Sequence, residues 1–376
     1  MAELMCMLNN NRVLLQLLEE EEEEDELFSS LHSRKRKPAD SIYKFRESEG
    51  VFEILINRHL SKNETKFREF FRINHKQFDF LVSLIVVELC KEPSNRIKKP
   101  ITVAEKLALT LRTKLVPLFL PDANTIDFKM KAAEFSYKWN YPNCILAIDG
   151  KHVRIRSPSN SGSLFHNYKD YFSTVLLAMV DANYKFIIVD IGSYGKEGDS
   201  GIFLKSELGK QILGGTFRFP EDSALPGSNI IVPHVIVGDE AFSLHKHIMK
   251  PFSRKASRED DSKKNFNYRL SRARRATENA FGLLSQIFRV FYQPINIQIT
   301  TCDDLIWVAC CLHNMLRDAY MENNKRPFYE LDFEQIEPTN NMMAMTRGGG
   351  FYNIEGFEVR DRFKNFFMNE GSVSWQ

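Results

Sequence analysis

Cysteine is scarce. Six residues (Cys6, Cys90, Cys144, Cys302, Cys310, Cys311) in a chain of 376 cannot supply a disulfide framework for a protein this long. A reducing, intracellular setting is therefore the expectation. No run approaches the roughly 20 consecutive apolar residues of a helical membrane span. The N-terminus lacks the apolar core of a secretory signal, because Glu3, Asn9, Asn10, Asn11 and Arg12 interrupt it. No internal repeat is present. What is there is ordinary for a globular protein: a hydrophobic content of 43% excludes a mostly disordered chain, and the length suits one large domain plus a smaller one.

A net charge of +2 conceals strong segregation. Glu19 to Glu26 are eight consecutive acids, whereas residues 251–290 carry ten Lys or Arg against four Asp or Glu. The acid run repels itself and stays solvated, so residues 1–50 read as a disordered arm, with at most a short helix around Leu14, Leu15, Leu17 and Leu18. Within the arm, Arg34-Lys35-Arg36-Lys37-Pro38 is a basic cluster of nuclear-import type. The basic segment further on has the character of a phosphate-backbone surface, with a solvated helix face as the plain alternative.

Residues 51–112 carry apolar side chains at helical spacing: Phe67, Phe70, Phe71 and Ile73, then Phe78, Leu81, Leu84, Ile85 and Val86. Thr102-Val103-Ala104-Glu105 opens a further helix through Arg112, and the prolines of Val116-Pro117-Leu118-Phe119-Leu120-Pro121 are expected to stop it. Strands take over after Asn143. Ile145–Asp149 and His152–Ile155 come first, then Ser173–Val180 and Tyr184–Ile191, paired antiparallel across Asp181-Ala182-Asn183. A buried strand is expected over His234–Gly238, then helices over Glu240–Met249, Leu270–Phe288 and Trp307–Leu316.

Within this pattern three acids stand out. Asp149 ends the run Cys144–Ile148, Asp239 ends Val235–Gly238, and Glu278 lies on the long basic helix. A carboxylate at the rim of a buried strand is costly unless solvated, paired or metal-bound, and three such groups are what a site for hard divalent cations requires. Each has a plainer explanation. Asp149-Gly150 is a hairpin dipeptide, Asp239 and Asp199 can cap the helices that follow them, and Glu278 can pair with Arg274 or Arg275. Lys151, His152, Arg154 and Arg156 either contact phosphate or coat an exposed strand face. Cys310, Cys311 and His313 fit no tetrahedral zinc spacing, and their apolar surroundings favour core packing.

In order along the chain, Trp139-Asn140-Tyr141-Pro142-Asn143-Cys144, Ala147-Ile148-Asp149-Gly150-Lys151-His152-Val153, Gly198-Asp199-Ser200-Gly201-Ile202-Phe203, Val237-Gly238-Asp239-Glu240-Ala241-Phe242, Glu278-Asn279-Ala280-Phe281-Gly282 and Cys310-Cys311-Leu312-His313-Asn314 resemble the PIF/Harbinger-type DDE transposases and the nucleases derived from them. The resemblance covers residues 65–112 and 139–320. It implies an α/β fold with an RNase H-like mixed sheet flanked by helices over 139–320, a helical region over 51–138 and a C-terminal extension over 321–376. It also implies a divalent-metal-dependent DNA nuclease with Asp149, Asp239 and Glu278 catalytic, and Asp199 joining them as a fourth metal ligand. Lys151, Arg154, Arg274 and Arg275 would hold DNA phosphates. The cofactor would be Mg²⁺ or Mn²⁺, as two ions ~3.5–4 Å apart bridged by Asp149. Expected partners are DNA, a separate Myb/SANT-like DNA-binding protein and a second copy of the chain, with no membrane; the expected compartment is the nucleus, with the cytoplasm as the alternative. A domesticated DNA- or chromatin-associated protein without catalysis is the competing expectation. One departure stands against the family pattern: the helix-turn-helix segment after Arg112 is missing, and the junction reads as a deletion.

Overall fold

The computed structural model describes residues 59–89, 112–120, 123–158, 161–322, 342–344 and 353–373. The acidic run, the basic cluster at 34–38, the expected helix over 102–111 and the segments 323–341 and 345–352 lie outside the described residues. The chain divides into two units, Met1–Lys62 and Asn63–Gln376. Of the first, only a 3-10 turn at Leu60–Lys62 and the residue before it are described. Everything below concerns the second.

Its centre is a mixed sheet of RNase H-like form. Strand β1 (Cys144–Arg154) is flanked on one side by the antiparallel strands β2 (Ser173–Val180) and β3 (Phe186–Tyr194). The short pair β4 (Ser223–Ala224) and β5 (Ile231–Val232) forms a separate ribbon. On the other side of β1 lie the parallel strands β6 (Val235–Val237) and β7 (Ile248–Met249). Strand order is β3-β2-β1-β6-β7, and β8 (Met342–Ala344) pairs antiparallel with β1 further along. Both faces of β1 and β2 are covered, which is why their sequences are near-continuous apolar runs without alternation.

Helices α1 (Glu64–Phe71), α2 (His75–Leu89) and α3 (Arg112–Phe119) precede α4 (Phe128–Trp139). Between β3 and β4 come α5 (Asp199–Lys205) and α6 (Glu207–Leu213), and the short α7 (Arg254–Arg258) leads into α8 (Asp261–Ile287). Asp260 caps α8 by accepting from the Ser262 and Lys263 amides at 2.9 and 3.4 Å. Phe266, Leu270, Ala273, Ala276, Ala280 and Leu284 form its buried stripe. Helices α9 (Ile299–Glu322) and α10 (Ile354–Met368) complete the unit. Phe363 and Phe367 of α10 pack on the buried Tyr141 ring at 5.3 and 5.1 Å, so this part of the C-terminal extension is built into the domain.

Four expectations change. Asp149-Gly150 is no hairpin: β1 runs unbroken through it, because β2 pairs with residues 147–154 without a break. Pro117 lies inside α3, and the helix stops only at Phe119. Leu115 and Leu120 of this segment are buried, and burial supplies what propensity withholds. No helix forms over Glu240–Met249. Instead Gly238 N donates to Met249 O and Ile236 N to His247 O, adding β7 to the sheet. Phe242, Leu244, Ile248 and Met249 are all buried there, and a short apolar run of that kind does not separate helix from strand. Finally, α8 and α9 are much longer than their apolar cores suggested; in α8 the Asp260 cap and the polar first turns extend the helix.

Two motifs prove to be clamps. In the first, Trp139 Nε1 donates to Ala182 O at 3.2 Å, and Asn143 Nδ2 reaches Ser223 O and Val232 O at 3.1 and 3.2 Å. In the second, His313 Nε2 donates to Tyr184 O at 2.7 Å. Asn314 accepts from Phe186 N at 2.8 Å and donates to the carbonyls of Phe186 and Phe119 at 2.6 and 2.7 Å. Cys310 and Cys311 are buried free thiols, so this motif packs and pins the β2–β3 hairpin. Asn314→Ala removes a partner from three backbone groups, two of them buried, and should lower unfolding free energy by on the order of 3 kcal/mol. Urea titration checks this, and an unchanged midpoint would remove Asn314 from the role of clamp.

Candidate metal centre

The register of β1 against β6 sets the site. Ala147 lies opposite Val237 in a parallel pair, so two residues further on Asp149 and Asp239 arrive side by side. Close approach is required at the residue between: a Cβ on Gly238 would stand 2.8 Å from Phe242 Cδ2 and 3.0 Å from Ile148 Cγ2. β6 covers β1 over residues 144–147 and β8 covers it over 151–153. The β1 edge at 148–150 has no ladder partner among the described residues. Asp199, the first residue of α5, comes to the same place from the β3–α5 turn. One carboxylate oxygen from each of Asp149, Asp199 and Asp239 lies within 4.8 Å of the others.

The electrostatics of this group are severe. Asp149 and Asp199 are buried, and Asp199 Oδ1 has no hydrogen-bond partner among the described residues. Burial first, then the negative charges of Asp149 and Asp239, push the Asp199 carboxyl up to about 8, against a smaller opposing pull from Lys151. Lys151 Nζ sits 3.0 Å from Asp149 Oδ2, an ion pair without hydrogen-bond alignment, and 5.5 Å from the centre of the Phe281 ring. Asp239 Oδ1 accepts from Ala241 N at 2.8 Å, a cap-like contact that survives although no helix follows. An all-oxygen donor set containing an orphaned buried carboxylate oxygen fits a hard divalent cation.

Glu278 is not in this group. Its carboxylate is exposed and holds Arg274 Nη2 at 2.5 Å, while Arg274 Nη1 stands 4.0 Å from Asp149 Oδ2. Arg274 thus links the helix acid to the strand acid. Arg275 lies on the exposed face of α8. Lys151 is occupied by Asp149 and Phe281, whereas Arg154 is exposed, with its guanidinium 5.1 Å from the centre of the Tyr171 ring. His152 is fully buried, and its Nδ1 meets Ser173 Oγ at 3.0 Å. Burial, with lesser contributions from Lys169 and Lys151, lowers its pKa to about 4. The part of Phe281 under Lys151 was not anticipated. Its signal was its position three residues after Glu278, on the same helix face.

With the fold and this geometry in view, residues 148–314 match the family described as DDE superfamily endonuclease. The match runs from the residue before Asp149 to Asn314, the span between the acid cluster and the α9 clamp. Over 304 residues the chain is 24% identical to "Protein ALP1-like" of Arabidopsis thaliana, covering 69% of this chain and 72% of the relative. Both findings support the resemblance seen in the ordered motifs. No solved structure gives a significant match. Among the described residues no helix is long and apolar enough to cross a membrane.

The raised Asp199 pKa has a definite sign in stability. Its unfolded value is about 3.9, so the folded metal-free protein holds the proton more tightly. That contribution is complete below pH ~4 and is lost as pH rises through about 8. In EDTA, the metal-free protein should lose stability between pH 5 and pH 8 relative to Asp199→Asn. Thermal melts of the two proteins across that window test it, and parallel pH profiles would refute the shift.

Proposed function

We propose that the chain is a divalent-metal-dependent DNA nuclease of the transposase-derived type, with Mg²⁺ or Mn²⁺ held by Asp149, Asp199 and Asp239. The observation that carries this reading is the convergence of three carboxylates on the bare edge of β1, one of them buried with an oxygen unpartnered among the described residues. A cation bound there would polarise a phosphoryl oxygen and lower the pKa of an attacking water. The chain's own groups divide the remaining work. The acids fix the place of the reacting phosphate. Lys151 pairs with Asp149 while the site is metal-free, and the Phe281 ring beneath it limits where the ammonium can go. Arg274 exchanges its carboxylate partners for a DNA phosphate, which leaves Glu278 free to turn toward the cluster as the fourth acid. Arg154 and Arg275, both exposed, supply further phosphate contacts. The basic cluster Arg34–Lys37 supports a nuclear setting, and a separate Myb/SANT-like protein would supply sequence recognition.

A second reading has one observation in its favour. Lys151 and Arg274 already offset the charge of Asp149, an arrangement that also suits a DNA- or chromatin-associated protein without catalysis. Two measurements separate the readings. Titration calorimetry with Mn²⁺ should show saturable binding that Asp149→Asn and Asp199→Asn abolish. Plasmid nicking in Mg²⁺ should fall at least about a hundredfold in Asp149→Asn or Asp239→Asn, on the scale of losing a principal transition-state contact, with thermal stability retained. Full cutting by those variants would refute the assignment. Binding without cutting would favour the second reading.

A further inference from the structure

The loop between β1 and β2 carries an aromatic and cationic ledge that the acid cluster does not use. Tyr168 is 50% exposed. Lys169 Nζ stands 5.4 Å from the centre of its ring, and the Tyr171 ring carries the Arg154 guanidinium at 5.1 Å. Arg156 is exposed at the same end of β1. A tyrosine half in water with Lys169 over its ring gains little from burial, and a cation–π contact at an exposed site is weak. A base can therefore replace it.

The ledge is rigid where it needs to be. Asn167 Oδ1 accepts from Lys169 N at 2.9 Å, and Asn167 Nδ2 donates to Ser173 Oγ at 3.0 Å. Ser173 Oγ in turn meets His152 Nδ1 at 3.0 Å, and the His152 ring lies 6.1 Å from Tyr168 and 6.2 Å from Tyr171. This buried network fixes the backbone that presents Tyr168. The loop also abuts the turn that delivers Asp199: a Cβ on Gly195 would lie 2.4 Å from Phe165 O and 2.5 Å from Ser173 Oγ. Tyr194, just before that turn, packs edge-on against Phe165 at 5.1 Å. Ledge and acid cluster thus share one scaffold. Asp149 and Arg154 are five steps apart on β1, about 17 Å at ~3.3 Å per residue, and their side chains leave opposite faces of the strand, so a DNA strand reaching both would pass around the edge of β1.

We propose that this ledge takes unpaired bases of the DNA strand flanking the cleavage site, Tyr168 stacking a base while Lys169, Arg154 and Arg156 track its phosphates. Stacking of this kind tolerates any base, since each offers a π-face, which suits a chain that relies on a partner for sequence. The proposal rests on the nuclease reading for its substrate but not for its test. The full chain, in EDTA so that no cutting occurs, is titrated by fluorescence anisotropy with a blunt duplex and with the same duplex bearing a single-stranded overhang. The native protein should prefer the overhang. Tyr168→Ala should weaken overhang binding roughly five- to a hundredfold and leave the blunt duplex unchanged, and Tyr168→Phe should keep the preference. Lys169→Ala should weaken the overhang DNA more than the blunt duplex and reduce the salt slope of overhang binding by about one. Equal binding of the two DNAs by the native protein, or a Tyr168→Ala protein that keeps the preference, overturns the ledge. Either result leaves the metal and nicking experiments untouched.

Discussion

Three carboxylates whose oxygens approach within 4.8 Å repel one another, and burial sharpens the repulsion because the surrounding dielectric is low. Much of the domain can be read as the means of holding them there. The parallel register of β1 and β6 places two of the acids, and the turn after β3 places the third. Gly238 keeps the strands close enough. The long helix α8 lies across the sheet and supplies Arg274, and Lys151 comes from the same strand face as Asp149. Without a metal, the cost is met partly by a proton on Asp199 and partly by these two cations. A divalent ion would replace all three.

The remainder of the fold stabilises that arrangement from a distance. The Asp181 carboxylate at the β2–β3 turn accepts from Asn183 N and Lys185 N at 2.8 and 3.0 Å and binds Lys131 of α4 at 2.7 Å. With the Trp139 and Asn314 contacts, this turn is anchored to two different helices, α4 and α9. The Cys310-Cys311-Leu312-His313-Asn314 motif, whose apolar surroundings pointed to core packing, is a fastener for the hairpin that supports β1.

The sequence made the strands legible where apolar runs were long, and Asp149 and Asp239 legible because acids rarely end such runs. It misread β1 as two strands because Asp-Gly favours a turn locally, whereas eight residues of pairing with β2 decide the matter non-locally. It placed a helix after Asp239 because buried residues on all sides of a short segment show no clear period. Asp199 ranked behind the other acids, since Ser200 and Gly201 after it made it look like a cap; its burial and its place in the cluster show otherwise. Glu278 was grouped with the strand acids, but the Arg274 beside it, four residues earlier on the same helix face, holds it at the surface. A local ion pair of that kind is visible in sequence, though which partner prevails is not.

The gap in the ladder along β1 has another side. An unpaired strand edge in the middle of a sheet invites a strand from a second molecule, and proteins commonly defend such edges with charge. Here the open stretch at 148–150 is short and is guarded by Asp149, Asp199 and Asp239. Any incoming strand would meet three mutually repelling carboxylates, two of them already buried. The acids placed to hold a metal thus also raise the cost of adding a strand at this edge, and neutralising them would lower it.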